Sequence, residues 1–331
     1  MTSAAMIQKT PITGSDIFAM DYEVEAARIG DFLVKSVRGL NRRGLVLGVS
    51  GGIDSAACAA LAVKALGPKR VFGLLMPERD MVDDAHDRAE RLCQQLGISY
   101  AVEDIGPSLE AIGCYKRRDE AIARVVPNYA PGWRHKIVIS PATESMIAHF
   151  NIVVENPGGE QSSTRMPVEA YLQVVAATNF KQRLRKNLEY YHADRLNYAV
   201  LGTPNKLEYD LGFFVRGGDG LADVKPIAHL YKTQVYAMSR HLGVAEEICR
   251  QLPSTNTYSL PQTQEEFYYA LPYEKADIAL HAIVNGIPAS EVAAALQLST
   301  AQAEQVFRDF NGKRRAAERG LADALVLSET A

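Results

Sequence analysis

A carboxylate set among glycines and hydroxyl residues makes a poor core element and a good phosphate site. Ser50-Gly51-Gly52-Ile53-Asp54-Ser55 follows the apolar run Leu45-Val46-Leu47-Gly48-Val49 and precedes an alanine-rich stretch. That order reads as buried strand, tight loop, helix start. Such a loop aims backbone N–H groups and the helix dipole at one point, which favours an anion. Gly51 and Gly52 let the backbone turn and approach a ligand closely, and Ser50 and Ser55 offer hydroxyl donors. Asp54 would repel a phosphate; its natural work is to hold a divalent cation that bridges phosphates. The Gly-Lys-Ser/Thr ending of a Walker loop is absent. A glycine turn capped by Ser and Asp is the plainer alternative.

A second segment has the same order. Val200-Leu201-Gly202-Thr203-Pro204-Asn205-Lys206-Leu207-Glu208 runs from strand through loop to helix start. It would deliver Thr203 and Glu208 to the same sheet edge. Magnesium takes an octahedral oxygen shell, which Asp54 and Glu208 would share with phosphate oxygens and water. On its own, Glu208 reads as an ordinary helix carboxylate. Next comes Gly212-Phe213-Phe214-Val215-Arg216-Gly217-Gly218-Asp219-Gly220, which reads either as a flexible surface turn or as a mobile lid that excludes water. Lys232 opens a further helix, either reaching the bound phosphates or solvated at the surface.

The elements that must position these residues follow from periodicity. A helix is expected over about 16–39, strands over 44–49, 70–76 and 98–104, and helices over 54–66 and 81–96. Strands alternating with helices at this spacing indicate a doubly wound parallel sheet, with its ligand at the carboxyl ends of the strands. From about 107 to 165 the pattern degrades. Short strands at 136–140 and 151–155, with a turn at 156–159, suggest a small β excursion. Pro167 opens a long helix over 168–193, and a strand follows at 197–201. Residues 213–224 are expected to be mobile, and the chain from 229 onward is mostly helical.

Composition narrows the function classes. The chain has 331 residues, 47% of them hydrophobic, enough for a substantial core. A net charge of −3 gives no global reason to expect nucleic acid. No apolar run is long enough for a membrane helix, and the N-terminus lacks the pattern of a signal peptide. Cys58, Cys93, Cys114 and Cys249 form no C-x-x-C pair, so a reduced cytoplasmic setting fits best.

The Ser-Gly-Gly loop resembles the pyrophosphate loop of the ATP pyrophosphatases. Four motifs occurring in order make the likeness more specific: residues 50–55, Asn179-Phe180-Lys181-Gln182-Arg183-Leu184-Arg185, residues 202–208, and residues 212–233. Together they resemble the ammonia-dependent NAD synthetases over residues 45–105 and 175–273. The resemblance implies an α/β fold, a doubly wound parallel sheet with flanking helices of the adenine nucleotide alpha-hydrolase-like kind. A single domain over 1–331 would carry a β insertion at about 107–165 and a helical extension at about 274–331.

The resemblance also implies roles. Ser50, Gly51, Gly52, Ile53, Asp54, Ser55, Met76, Thr203, Lys232 and Ser254 would bind ATP. Asp54 and Glu208 would hold Mg2+. Asn179, Arg183, Arg216, Asp223 and Lys313 would bind the dinucleotide. Asp54, Lys232, Asp219 and Asp223 would serve catalysis, with Asp219 or Asp223 taking a proton from ammonium. ATP and Mg2+ are the implied cofactors, and deamido-NAD and free ammonia the implied substrates. The reaction would pass through an acyl-adenylate, releasing pyrophosphate and then AMP. A homodimer is implied as well; on the long helix Val168, Tyr171, Leu172, Val175 and Ala176 repeat at helical spacing and read either as a dimer element or as a stripe facing the chain's own core. The implied setting has no nucleic acid or membrane partner, and a separate glutaminase is one route to ammonia.

Two departures bear on the acceptor: Asn256 replaces a usual Asp, and Gly312 a usual His. With the insertion, they keep open an amide ligase of the same family acting on another carboxylate. An RNA-modifying relative would predict paired cysteines or a basic extension, and a non-catalytic nucleotide sensor would have no need of Asp54, Glu208 and Lys232 together.

Overall fold

The computed structural model describes residues 17–81, 83–140, 149–255 and 257–327. Asn256 and the first 16 residues, where the opening helix was expected to begin, lie outside them. Helix α1 (Tyr22–Gly39) starts where the Asp21 carboxylate accepts the Glu23 and Val24 N–H groups, satisfying two donors of the first turn.

The central sheet is built from β1 (Leu45–Gly48), β2 (Val71–Leu75), β3 (Ser99–Val102) and β7 (Ala199–Val200), all parallel, in the order β3-β2-β1-β7. A further parallel bridge joins Leu201 to Val224. β1 is buried at Leu45, Val46 and Leu47, as expected of a central parallel strand covered on both faces. Between β1 and β2 runs α2 (Ile53–Leu66), whose residues 55–62 are all buried. Its alanines let α1 and α8 (Lys232–His241) approach closely, and a helix apolar around its whole circumference belongs in a core. α3 (Asp83–Leu96) connects β2 to β3. The chain winds outward from β1 through β2 to β3, then returns to β1's other side as β7. The sheet therefore reverses direction between β1 and β7, where α/β sheets bind ligands.

Residues 106–165, where an insertion was expected, hold more regular structure than the sequence pattern indicates. α4 (Gly106–Ala111) and α5 (Cys114–Ala123) precede an antiparallel sheet of β4 (Arg134–Ser140), β5 (His149–Glu155) and β6 (Gln161–Arg165). The expected turn joins β5 to β6, closed by the Asn156 side chain accepting the Gly158 and Glu160 N–H groups. β6 is a third strand that the sequence pattern did not mark. α6 (Val168–Leu196) runs past the sheet and ends at Asn197 in the left-handed conformation. α7 (Lys206–Leu211) follows β7. The helical remainder comprises α8, α9 (Glu246–Cys249), α10 (Tyr273–Val284), α11 (Ala289–Leu296) and α12 (Thr300–Leu321). Among the described residues no helix is long and apolar enough to cross a membrane.

Residues 213–224, expected to be mobile, form a series of fastened turns. The Gly218 and Gly220 N–H groups donate to Val215 O. Gly218 packs so closely on α6 that a Cβ there would lie 2.9 Å from Gln182 Cβ.

Candidate active site

A cavity of about 430 Å³ opens at the carboxyl ends of β1 and β2, walled by the Ser-Gly-Gly loop, α3, α6, the start of α8 and the 251–258 loop. Ser50, Gly51, Gly52, Ile53, Asp54 and Ser55 all line it. Gly51 has φ +76°, and a Cβ there would sit 2.4 Å from Ala85 O on α3. Only glycine fits both the backbone conformation and the contact. Ser50 and Ser55 lie hydroxyl to hydroxyl at 3.2 Å, and Ser55 also donates to Gly52 O at 2.9 Å.

The two acids separated in sequence meet here. Asp54, in the first turn of α2, pairs through Oδ2 with Lys232 Nζ and accepts from Asn205 Nδ2 through Oδ1 at 3.0 Å. Glu208 Oε1 lies 4.0 Å from the same ammonium and accepts from Gln264 Nε2 at 2.9 Å. Glu208 also closes a capping box: Asn205 Oδ1 accepts the Glu208 N–H at 3.1 Å, and Glu208 Oε2 accepts the Asn205 N–H at 3.2 Å. One carboxylate therefore caps α7 and faces the cavity at once. Lys232 is aimed by α10, because Asp277 accepts the Lys232 and Thr233 N–H groups at 3.2 and 2.7 Å.

Two acids facing one ammonium leave an excess of negative charge. Burial and the neighbouring Asp54 charge push the Glu208 carboxyl up to about 7, against the pull of Lys232. Burial opposes the Lys232 charge, but Asp54 and Glu208 outweigh it and raise its pKa. A divalent cation would relieve this repulsion. Among the described residues no group of three or more His, Cys, Asp and Glu side chains is arranged to hold a metal. A site with two carboxylates leaves its other positions to phosphate oxygens and water, which suits magnesium.

The other expected residues divide. Met76, Asn179, Thr203, Asp219 and Ser254 line the cavity with the Ser-Gly-Gly loop. Asp219 is also fastened, its Oδ1 accepting the Val215 N–H at 2.6 Å. Four residues lie outside the cavity lining. Arg183 is exposed on α6 and donates to Arg216 O at 3.2 Å, and the Arg216 side chain is also exposed. Asp223 ties the sheet edge, accepting the Val200 N–H at 2.7 Å and the Tyr190 hydroxyl at 3.2 Å. Lys313 donates to Tyr268 O and Asp309 Oδ2 at 2.6 and 2.7 Å.

Sequence reasoning gave no role to several groups that shape the site. Asn205, Gln264 and Asp277 orient the acids and Lys232 from separate elements. Arg88 lines the cavity with its Nη1 against Asp84 and its Nε buried without a partner among the described residues. Lys181, within the Asn179–Arg185 motif, is buried with its Nζ 3.0 Å from Glu78 Oε1, 2.7 Å from Asp80 Oδ2 and 2.8 Å from Thr257 O. It fastens α6 to the loop after β2 and to the 251–258 loop.

The parallel sheet, its switch point and the glycine loop at the head of α2 define an α/β protein of the adenine nucleotide alpha-hydrolase-like class. Its fold matches an "NH3-dependent NAD synthetase" from Campylobacter jejuni subsp. jejuni at a TM-score of 0.62 and 23% identity, over 94% of this chain and 100% of that one. An "NMN synthetase" from Francisella tularensis matches at 0.66 and 24%, over 94% and 100%. The family model for NAD synthase matches residues 25–147 and 159–315. The "NH(3)-dependent NAD(+) synthetase" of Rhizobium meliloti (strain 1021) is 53% identical over 310 residues, covering 93% of each chain. That of Mesorhizobium japonicum is 53% identical over 303 residues, covering 91% of this chain and 95% of its own. The chain belongs to the NAD synthase family.

Proposed function

We propose that this enzyme amidates deamido-NAD to NAD with free ammonia, at the expense of ATP. The observation that carries the reading is the convergence of Asp54, Glu208 and Lys232 beside a glycine loop at the sheet's switch point. A carboxylate is a poor acceptor for ammonia because its leaving group is poor. In our reading the nicotinate carboxylate attacks the α-phosphorus of ATP, pyrophosphate leaves, and an acyl-adenylate forms. Ammonia then attacks the activated carbonyl and AMP departs. The Ser50–Ser55 hydroxyls and loop N–H groups hold the departing phosphates, and Lys232 neutralises them. Asp54 and Glu208 would hold Mg2+, which supplies charge neutralisation on the phosphates. The chain's own contribution is alignment and preorganised charge.

Within this reading Thr203 and Ser254 complete the nucleotide site and Met76 borders it, while Asn179 faces the acceptor. Arg183, Arg216 and Lys313 lie outside the cavity lining, so their dinucleotide contacts would be made beyond it. Asp223 is tied into the sheet edge, and Asp219 is the acid of the two that faces the cavity. We assign the enzyme to the cytoplasm, consistent with four cysteines that are all free and buried. We further infer a homodimer, with ammonia arriving free or from a separate glutaminase.

The test is product identification. Purified protein given ATP, Mg2+, an ammonium salt and deamido-NAD should yield NAD, AMP and pyrophosphate in equal amounts. ADP and phosphate as products would remove the adenylation step. AMP release with a different acid but not with deamido-NAD would move the same chemistry to another acceptor.

A further inference from the structure

Arg185 is a cation of the cavity wall without a partner among the described residues. It lies on the α6 face that lines the cavity, with Asn179, Gln182 and Lys186. Among the described residues its guanidinium makes no hydrogen bond or ion pair. The acids whose charge reaches it are Glu78, Asp219 and Glu189, and each is engaged elsewhere. Glu78 accepts from Lys181 at 3.0 Å and from the Tyr115 hydroxyl at 2.9 Å. Asp219 accepts the Val215 N–H, and Glu189 accepts from Lys186 at 2.6 Å. Lys186 is thereby occupied too. Arg183, two residues earlier, points away to Arg216 O.

A guanidinium carries five donors in a planar fork, and leaving them unpaired away from bulk water is costly. The arrangement suits a planar anion that enters with the ligand and accepts two parallel hydrogen bonds. The phosphate-binding parts, the head of α2 and Lys232, come from other walls of the cavity. We propose that Arg185 recognises the carboxylate of the acceptor, holding it before it is activated. This rests on the amidation reading above and adds the group that distinguishes acid from amide.

Deamido-NAD and NAD differ only in that carboxylate, so their affinity ratio isolates the contact. Wild-type protein should bind deamido-NAD more tightly than NAD. In Arg185→Gln the preference should fall by at least about tenfold, through loss of acid binding, with KM for ATP little changed. Arg185→Lys, which keeps the charge without the fork, should fall between them, and thermal unfolding of both variants should show them folded. A preference unchanged in both folded variants overturns the assignment. So does a raised KM for ATP with the preference intact, which would place the guanidinium on a phosphate. Wild-type protein that turns over ATP with another acid and ignores deamido-NAD would instead overturn the function reading, and this assignment with it.

Discussion

Asp54 and Glu208 face one ammonium, and the geometry gives each acid a different share of it. Lys232 satisfies one oxygen of Asp54 and lies at 4.0 Å from Glu208, so the pair retains negative charge for a cation to cancel. Asp54→Asn keeps the shape and the Asn205 contact while removing that charge. We expect turnover to fall by at least about a hundredfold with the thermal midpoint nearly unchanged; near-normal turnover would remove Asp54 from the metal site. Asp277 makes a separate, pH-dependent contribution. Burial pushes its carboxyl up to about 7, against the pull of its hydrogen bonds from Thr233 and Lys232. The unfolded chain gives up that proton near the ordinary value of 3.8, whereas the folded chain keeps it to about 7. Across that interval the folded state binds more protons, so stability falls as pH rises. Glu208, also raised, adds to the same slope. Asp277→Asn should therefore flatten the decline in melting temperature between pH 5 and 7, and an unchanged slope would show that Asp277 ionises normally. Asp54, Glu208 and Lys232 were legible in the sequence because each stands at a strand-to-helix transition or a helix start. Asn205, Gln264 and Asp277 were not assigned, since nothing local in a sequence tells which distant side chain a helix start will meet.

At the scale of elements, the Ser50–Ser55 loop is fixed by its contact with α3 rather than by the loop alone. Gly51→Ala would force a side chain onto Ala85 O in a backbone region that L-residues avoid. We expect a loss of about 1–3 kcal/mol together with greatly weakened ATP binding. Gly97→Ala is the control: its φ is +67°, but its surroundings are open, with only Pro68 Cβ at 4.0 Å. It should cost about 1 kcal/mol and leave KM for ATP alone. Equal effects on ATP binding from both would show that the loop's contact with α3 is not what shapes the site. The alternating strands and helices around this contact were legible because their apolar residues recur regularly. Residues 106–165 were less so, for a physical reason. α5 buries Arg118 and Tyr115, which are satisfied by Asp80 at 2.5 Å and Glu78 at 2.9 Å. A buried arginine midway between Cys114–Tyr115 and Ala121–Ile122 interrupts the apolar period of this helix. β6 is Gln-Ser-Ser-Thr-Arg on a sheet edge, mostly exposed, and its pairing with β5 comes from backbone hydrogen bonds rather than from a hydrophobic face.

For the whole molecule, the long helix α6 connects the cavity to the outside. Its apolar positions near the start appeared in the sequence as one stripe, but the structure divides them. Tyr171 stacks on Phe150 at 3.9 Å between centroids, and Tyr171 and Val175 line the cavity. Val168 and Leu172 point outward, 73% and 57% exposed, and Ala176 continues that outer line. A period of about 3.6 fits both faces of a helix this long, so sequence alone does not assign the stripe to core or interface. The division gives the proposed homodimer a location. An outward row of apolar residues one turn apart is what a second copy's helix would cover, and the same helix carries the exposed Arg183 toward that side. Sedimentation of wild-type protein at micromolar concentration should give a dimer. Replacing both Val168 and Leu172 with Glu places charges in the centre of that face and should weaken association by at least about tenfold, while the thermal midpoint of the monomer stays close to that of wild type because neither side chain enters the core. If Arg183 reaches a dinucleotide held against the partner, the charged variant should also lose affinity for deamido-NAD in proportion to its dissociation. A variant that remains dimeric would move the interface away from the start of α6. One that dissociates yet binds deamido-NAD normally would make each subunit's site complete by itself.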